Sequence, residues 1–455
     1  MPFDSINPAT DERMASFPEC SSAEQEKALA AATKAACAWR ETTPRERAAL
    51  LTRVAQVLRL HREHYAGLIT AEVGKPIVEA RAEVDKCALG CEYYAQQGAR
   101  LLEDELVEIS GISAKVAFLP LGVILAIMPW NFPFWQVFRF ATAALTGGNA
   151  AILKHASNVP QCALAINEIF REAGAPDGLF QSLLLPASAI EGLIKDPRIH
   201  GVTLTGSEAA GRKVAELAGR ALKKTVLELG GSDPFIVLAD ADLERAAQAA
   251  VASRYQNAGQ SCIAAKRLIL VDAIAEPFLA LLTQRVRDLQ VGDPSDETVR
   301  MGPMARRDLR ATLHEQVLDA IDKGAVVRLG CELPTGPGSY YPPSILDHVR
   351  PGMRAYAEEL FGPVALILRA RDALDALAQA NASRYGLGAS VWTSDLALGE
   401  SLARRIESGG GFVNSLVKSD PRLPFGGTKD SGYGRELSHY GLREFLNIKT
   451  LWLAP

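Results

Sequence analysis

The chain has 455 residues, of which 48% are hydrophobic and 22% charged, enough apolar material for two or more packed cores. Its formal net charge of −4 gives no basic surface for nucleic acid or an anionic membrane. The seven cysteines are odd in number, widely spread and free of any CxxC pair, the usage of a reducing compartment such as the cytoplasm.

The N-terminus, "MPFDSINPATDERM", lacks the basic and apolar regions of a secretory signal. The first third then reads as helices. "SSAEQEKALAAATKAACAW" opens with a capping box, Ser22 with Gln25. "TPRERAALLTRVAQVLRLHREHYAGLI" opens with Thr43 as cap, Pro44 in the first turn and Glu46 at the box position. Gly74 and Pro76 mark the stop that follows. Cys87 and Cys91 lie one helical turn apart with no histidine nearby, which reads as a core helix face rather than a metal site. From Val116 to Phe138 there is no charge, but Pro120, Pro129 and Pro133 would break a membrane helix, so a buried strand and loop are expected.

From about residue 120 strands and helices alternate. Strands are expected at 122–128, 149–154, 178–185, 199–205 and 224–229, and a second α/β series begins near "DPFIVLADADLERAAQAA". Apolar strands separated by helices imply parallel sheets covered on both faces. The tail "FLNIKTLWLAP" is strand-like and available to pair with another segment or subunit.

The chemistry-bearing stretches follow this series. No G-x-G carries the third glycine of a dinucleotide fingerprint. "LTGSEAAGRK" nearly fits a Walker loop, but Arg212 stands where lysine belongs and Lys213 where serine or threonine belongs. What remains is a strand, a Gly-Ser turn and a helix start, which is either an ordinary capped helix or a seat for a pyrophosphate. In "PWNFP", prolines on both sides fix Asn131, as a turn residue or as an oxyanion donor. "LELGGSDP" puts Glu228 in an apolar strand, where burial raises a carboxyl pKa; a general base and a structural ion pair both fit. "YQNAGQSCIAAK" sets Cys262 between small flexible residues and an apolar run.

Together these stretches resemble the aldehyde dehydrogenase superfamily over nearly the whole chain. The carrying motifs, in the family's order, are "PWNFP", "LTGS", "LELGG", "GQSC", "EELFGPV" and "PFGGTKDSGYGRE", with Glu228 and Cys262 standing 34 residues apart. The resemblance implies an α/β fold of that family. It would comprise a Rossmann-like NAD(P)-binding domain (1–109 and 119–230), a catalytic domain (231–433) and a small β extension for oligomerisation (110–118 and 434–455), giving a homodimer or homotetramer. It makes Cys262 the nucleophile, Glu228 the general base and Asn131 an oxyanion donor. Pro129, Trp130, Lys154, Gly206, Ser207, Glu359 and Phe361 become cofactor-binding residues. Ser157 stands where NAD-preferring members commonly carry a glutamate, which leaves room for a 2′-phosphate and makes both NAD and NADP expected cofactors; it is also placed to cap the helix before Pro160.

For the substrate, Arg139 resembles the carboxylate-binding arginine of the succinate semialdehyde branch, with an ion-paired helix residue as the other reading; "NSLVKSDPRLPFGG" also resembles that branch, with Ser419 in the substrate-facing loop, and the resemblance makes succinate semialdehyde the expected substrate. One arginine of that branch is replaced by Gln256, with Arg254, Lys418 or Arg422 as candidates to compensate. Other small semialdehydes, neutral aliphatic aldehydes and a cofactor-independent cysteine hydrolase stay open as alternatives.

Overall fold

The computed structural model describes residues 2–109 and 112–454. The helices of the first third start where side chains satisfy their free N–H groups. The first, Ser22–Trp39, is capped by Ser21 in a capping box with Glu24. The expected Ser22/Gln25 box lies one residue too late, because a carboxylate accepts the cap N–H groups more strongly than a neutral amide. Thr43 and Glu46 form the expected box on Pro44–Leu60. The helical run then breaks at His61 and resumes as Arg62–Val73, which ends at Gly74 in the left-handed conformation (φ 79°). The long helix Ile77–Leu101 follows and buries both Cys87 and Cys91 in the core.

The first large sheet has six strands in the order Gly432–Tyr433, Lys224–Glu228, Ile199–Thr205, Val123–Met128, Ala150–His155, Phe180–Ser182. All pair in parallel except the first edge strand. The chain starts in the middle, at Val123–Met128, fills one side and then returns to fill the other. That reversal creates a crevice beyond the carboxyl ends of the strands, the usual ligand position in open α/β sheets. The strand expected at 178–185 shrinks to Phe180–Ser182, bounded by the positive-φ Gly178 and by Pro186.

The second sheet has seven strands, in the order Val326–Leu329, Ser344–Asp347, Val364–Ala370, Ala265–Val271, Asp233–Val237, Gly388–Trp392, Gly410–Val413. It too is parallel but for one edge. Each sheet has its own hydrophobic core. The uncharged stretch 116–138 divides between the end of the strand Ile112–Pro120, the buried strand Val123–Met128, a loop and the start of the helix Trp135–Thr146. The C-terminal strand Leu446–Leu453 pairs antiparallel with Ile112–Pro120 of its own chain, and Glu105–Ile109 completes a three-stranded ribbon. Residues 110 and 111, part of the expected extension, lie outside the described residues. Among the described residues no helix is long and apolar enough to cross a membrane.

Candidate active site

At the crevice of the six-stranded sheet, Pro129, Trp130, Gly206, Ser207, Glu359 and Phe361 line one cavity of about 260 Å³, which also reaches Asn131 and Cys262. The Trp130 and Phe361 rings meet edge to face, centroids 5.8 Å apart. Ser207 caps the helix Glu208–Arg220, its hydroxyl accepting from the Ala210 N–H at 3.4 Å. The acidic Glu208 in that first turn is engaged sideways by Arg384 at 2.6 Å and by the Tyr385 hydroxyl. The two glycines of "LELGG" permit close approach: a Cβ on Gly230 would lie 2.4 Å from Glu359 Oε2, and one on Gly231 would lie 2.6 Å from the Cys262 carbonyl. Glu359 Oε1 accepts the Gly231 N–H at 3.1 Å and pairs with Lys266 at 3.0 Å.

Lys154 and Ser157 stand outside this lining. Lys154 is one strand over, opposite Ile127, and burial lowers its pKa. Ser157 is exposed in the following loop. It does not cap the next helix, contrary to expectation. Val159 is the cap residue there, and Glu72 from another helix accepts the Gln161 and Cys162 N–H groups at 3.0 and 2.9 Å, so that helix end needs no serine.

The loop that leads to Cys262 is strained. Asn257 and Ala258 both have φ 52°, a conformation non-glycine residues rarely adopt, and Gly259 follows at 72°. Strain of this kind costs about 1–3 kcal/mol per residue and persists only where surrounding bonds over-determine it. Those bonds are present. The Asn257 N–H donates to Glu79 at 2.9 Å, and its side-chain amide donates to the Asn131 carbonyl at 2.8 Å. Gln260 Oε1 accepts the Ala305 N–H at 2.9 Å, and Lys266 donates to the carbonyls of Ser261 and Cys262 at 2.6 and 2.9 Å. Asn131 Nδ2 donates to the Gln260 carbonyl at 3.1 Å. An amide nitrogen carries two hydrogens, so one is left for a ligand.

Burial pushes the Cys262 thiol up to about 12, against the opposing charges of Arg139 and Lys266. The resting group is therefore a thiol, not the partly ionised cysteine of a solvated loop. Glu228 is buried, with neither carboxyl oxygen hydrogen-bonded. Burial holds its pKa well above the usual carboxylate value; Arg139 opposes this and Glu436 reinforces it.

A second cavity, about 210 Å³, meets the first at Cys262 and Gln136. Its walls include Lys86, Trp135, Arg139, Ser419 and Phe425, with Gln256 exposed beside them. Arg139, the expected carboxylate anchor, lines this cavity with Ser419 and is also engaged within the protein. Its buried guanidinium is paired with Glu436 and stacked over Phe425, 4.6 Å from the ring centroid. Its charge is thus met inside the protein. Of the proposed substitutes for a missing arginine, Arg254 is fully buried and donates to the carbonyls of Leu360, Gly362 and Val364, while Arg422 is paired with Asp420 at 2.6 Å. Only Lys418 borders the cavity. The sequence reading missed Lys86, which donates to Ser419 Oγ at 2.7 Å across 333 residues of chain. No local motif marks it. Glu436, by contrast, stood in plain view as the last residue of "PFGGTKDSGYGRE".

Cys262 thus lies where two cavities meet, one of them at the switch point of a parallel sheet. The model of the aldehyde dehydrogenase family matches residues 1–451, and the chain belongs to that family. It is 49% identical over 448 residues to the Escherichia coli (strain K12) protein named succinate semialdehyde dehydrogenase (NAD(P)+) Sad, covering 98% of this chain and 97% of that one. It is 46% identical over 457 residues to succinate-semialdehyde dehydrogenase (NADP(+)) 1 of Mycobacterium tuberculosis (strain ATCC 25618 / H37Rv), covering both chains fully (100% each). The solved structure of succinic semialdehyde dehydrogenase from Streptococcus pyogenes, in complex with NADP+, superposes with a TM-score of 0.98 at 37% identity, covering 100% of each chain.

Proposed function

We propose that the protein oxidises succinate semialdehyde to succinate with NAD or NADP. The observation that carries this reading is the placement of Cys262 where the two cavities meet. The names of the relatives give the substrate and cofactors, and the alternatives are other short semialdehydes.

The 260 Å³ crevice fits a dinucleotide by its donor set: a helix N-terminus at Ser207, the Trp130 and Phe361 rings, and a carboxylate at Glu359 beside the nucleophile loop. We assign Pro129, Trp130, Gly206, Ser207, Glu359 and Phe361 to that group. Lys154 and Ser157, at the end of the neighbouring strand, are assigned to its adenosine side. When bound, the nicotinamide supplies the hydride acceptor.

The Cys262 thiol gives its proton to water in the crevice, and its sulfur bonds to the aldehyde carbon as the C=O π bond opens, forming the oxyanion of a thiohemiacetal. The remaining Asn131 amide hydrogen and the Cys262 N–H receive the oxyanion, an interaction for which loss of one donor costs about 2.7–4 kcal/mol. After oxidation to the thioester, Glu228 takes a proton from the attacking water as its oxygen bonds to the acyl carbon, and the C–S bond then breaks, releasing the acid and returning the Cys262 sulfur. Burial raises the proton affinity of Glu228, as a general base requires, and such base catalysis is worth about 10²–10⁴ in rate.

We assign a cofactor domain to 1–109 and 119–230, a catalytic domain to 231–433 and an extension to 110–118 and 434–455. The ribbon exposes Leu106, Ile448, Trp452 and Leu453, which supports burial against a second copy in a dimer or tetramer. Free cysteines throughout support a cytoplasmic location. The test is a panel of aldehydes assayed with each cofactor. Succinate semialdehyde leading the panel is expected; a preference for neutral aldehydes, or turnover without cofactor, overturns the reading.

A further inference from the structure

Lys266 lies on the strand Ala265–Val271, just after Cys262, and its side chain is wholly removed from water. An ammonium is rarely buried without partners that meet both its charge and its three hydrogens. Here all three hydrogens find acceptors: the Ser261 carbonyl at 2.6 Å, the Cys262 carbonyl at 2.9 Å and Glu359 Oε1 at 3.0 Å. Two of those acceptors belong to the backbone of the reactive segment, and the third to the carboxylate that lines the 260 Å³ crevice. Glu359 Oε1 is held further by the Gly231 N–H at 3.1 Å. On the other side of Cys262 in sequence, Arg254 donates to the carbonyls of Leu360, Gly362 and Val364. The loop 359–364 and the segment around Cys262 are therefore tied at both ends by buried cations.

The charges that act on the Cys262 sulfur come from several elements. Arg139, from the helix Trp135–Thr146, and Lys266 favour its thiolate. Glu359, and Glu228 at the end of the strand Lys224–Glu228, oppose it. Glu79, Glu83, Lys86 and Lys418 line the further cavity with it. Asp233, from the strand Asp233–Val237, acts on Lys266 from behind; burial lifts its carboxyl to about 6, and Lys266 opposes that lift. Lys266 and Glu359 thus act on the sulfur with opposite signs while bonded to each other. The carboxylate cancels part of the field of the ammonium, and the remainder depends on how the pair is held.

We propose that Lys266 is a positioning residue for the oxidation: it holds the backbone of Cys262 and the carboxylate of Glu359 in one bonded unit, and through that unit it sets the reactivity of the sulfur. This rests on the reading that Cys262 is the nucleophile and that Glu359 faces the cofactor. Lys266 acts through those two residues and not on the aldehyde itself. Each unit of thiol pKa changes the thiolate fraction about tenfold. A more basic thiolate is also about threefold more nucleophilic per unit, so the net change in rate is about threefold in the direction of the thiolate fraction.

The experiment follows alkylation of Cys262 by iodoacetamide from pH 7.5 to 9, read by mapping the labelled peptide, in enzyme without added cofactor. Lys266→Met, similar in length and uncharged, is expected to slow alkylation about threefold or more. Glu359→Gln keeps an oxygen for the Lys266 and Gly231 hydrogens but removes the opposing charge, and is expected to speed alkylation about threefold. The double variant should return close to the unmutated rate. A merely structural role for Lys266 predicts no acceleration in Glu359→Gln and no rescue in the double variant. The proposal is overturned if Glu359→Gln slows alkylation or leaves it unchanged, or if the double variant is as slow as Lys266→Met alone. Where circular dichroism shows that Lys266→Met does not fold, the direction of the Glu359→Gln change decides by itself. No aldehyde is present, so the outcome is separate from the functional reading. That reading fails on turnover without cofactor or by Cys262→Ala, results that leave the opposite signs of the two variants untouched.

Discussion

Replacing Arg139 by methionine separates its two possible roles, because a substrate anchor and an internal counter-ion fail differently. Arg139 is 2% exposed and its partner Glu436 is 5% exposed, so the pair is removed from water. Glu228, also buried, feels the same guanidinium. Taking one partner from a buried pair typically costs about 3–5 kcal/mol, because the other is left as an unpaired charge. Here the remaining glutamates escape part of that cost by taking up protons. Both are already lifted above their ordinary value of 4.5 by burial, with Arg139 opposing the lift. Above about pH 4.5 the folded state therefore holds more protons than the unfolded chain, and their contribution is lost as pH rises through the folded values. Without Arg139 those values climb further and the window widens. The variant should lose less stability near pH 5 than at pH 8, with the unpaired-charge cost of about 3–5 kcal/mol as the ceiling. Denaturation midpoints in urea at the two pH values read this directly. Its kcat/KM should fall alike for succinate semialdehyde and butanal, since Glu228 is disturbed for both. Unchanged stability at pH 8, or a loss confined to the carboxylate substrate, would refute the counter-ion assignment and restore Arg139 as the anchor.

Other changes have equally specific outcomes. Glu228→Gln should give a burst of reduced cofactor and then stall, seen by stopped-flow absorbance; undiminished steady turnover removes Glu228 as the base. Ser157→Glu should weaken NADP much more than NAD in titrations of the two cofactors, because a carboxylate beside a 2′-phosphate adds repulsion; equal weakening places residue 157 away from the ribose.

The motifs exposed most of the fold and the residues where the two cavities meet because their signals are local. Val123–Met128 and Ile199–Thr205 are apolar runs bounded by turns, and Cys262 and Asn131 sit in short stretches whose neighbours fix the backbone. Long-range electrostatics was not legible. Nothing near Arg139 in sequence announces Glu436, and nothing in the helix Ile77–Leu101 announces that Lys86 reaches Ser419. The break at His61 was equally hidden, since both flanking segments keep helical periodicity without a proline or glycine between them. The Ser22 box failed for a subtler reason. Two overlapping Ser-x-x-acceptor patterns compete in "SSAEQE", and the charged acceptor won.

The central claim is that Cys262 carries the acyl group during aldehyde oxidation. The most direct measurement is acid-quenched peptide mapping of Glu228→Gln protein after exposure to succinate semialdehyde and NADP, with Cys262→Ala as the control. The account predicts a succinyl thioester on the peptide holding Cys262, formed in step with the burst of NADPH, and neither thioester nor NADPH from well-folded Cys262→Ala protein. NADPH production without acylation of Cys262, or substantial turnover by the alanine variant, would contradict it.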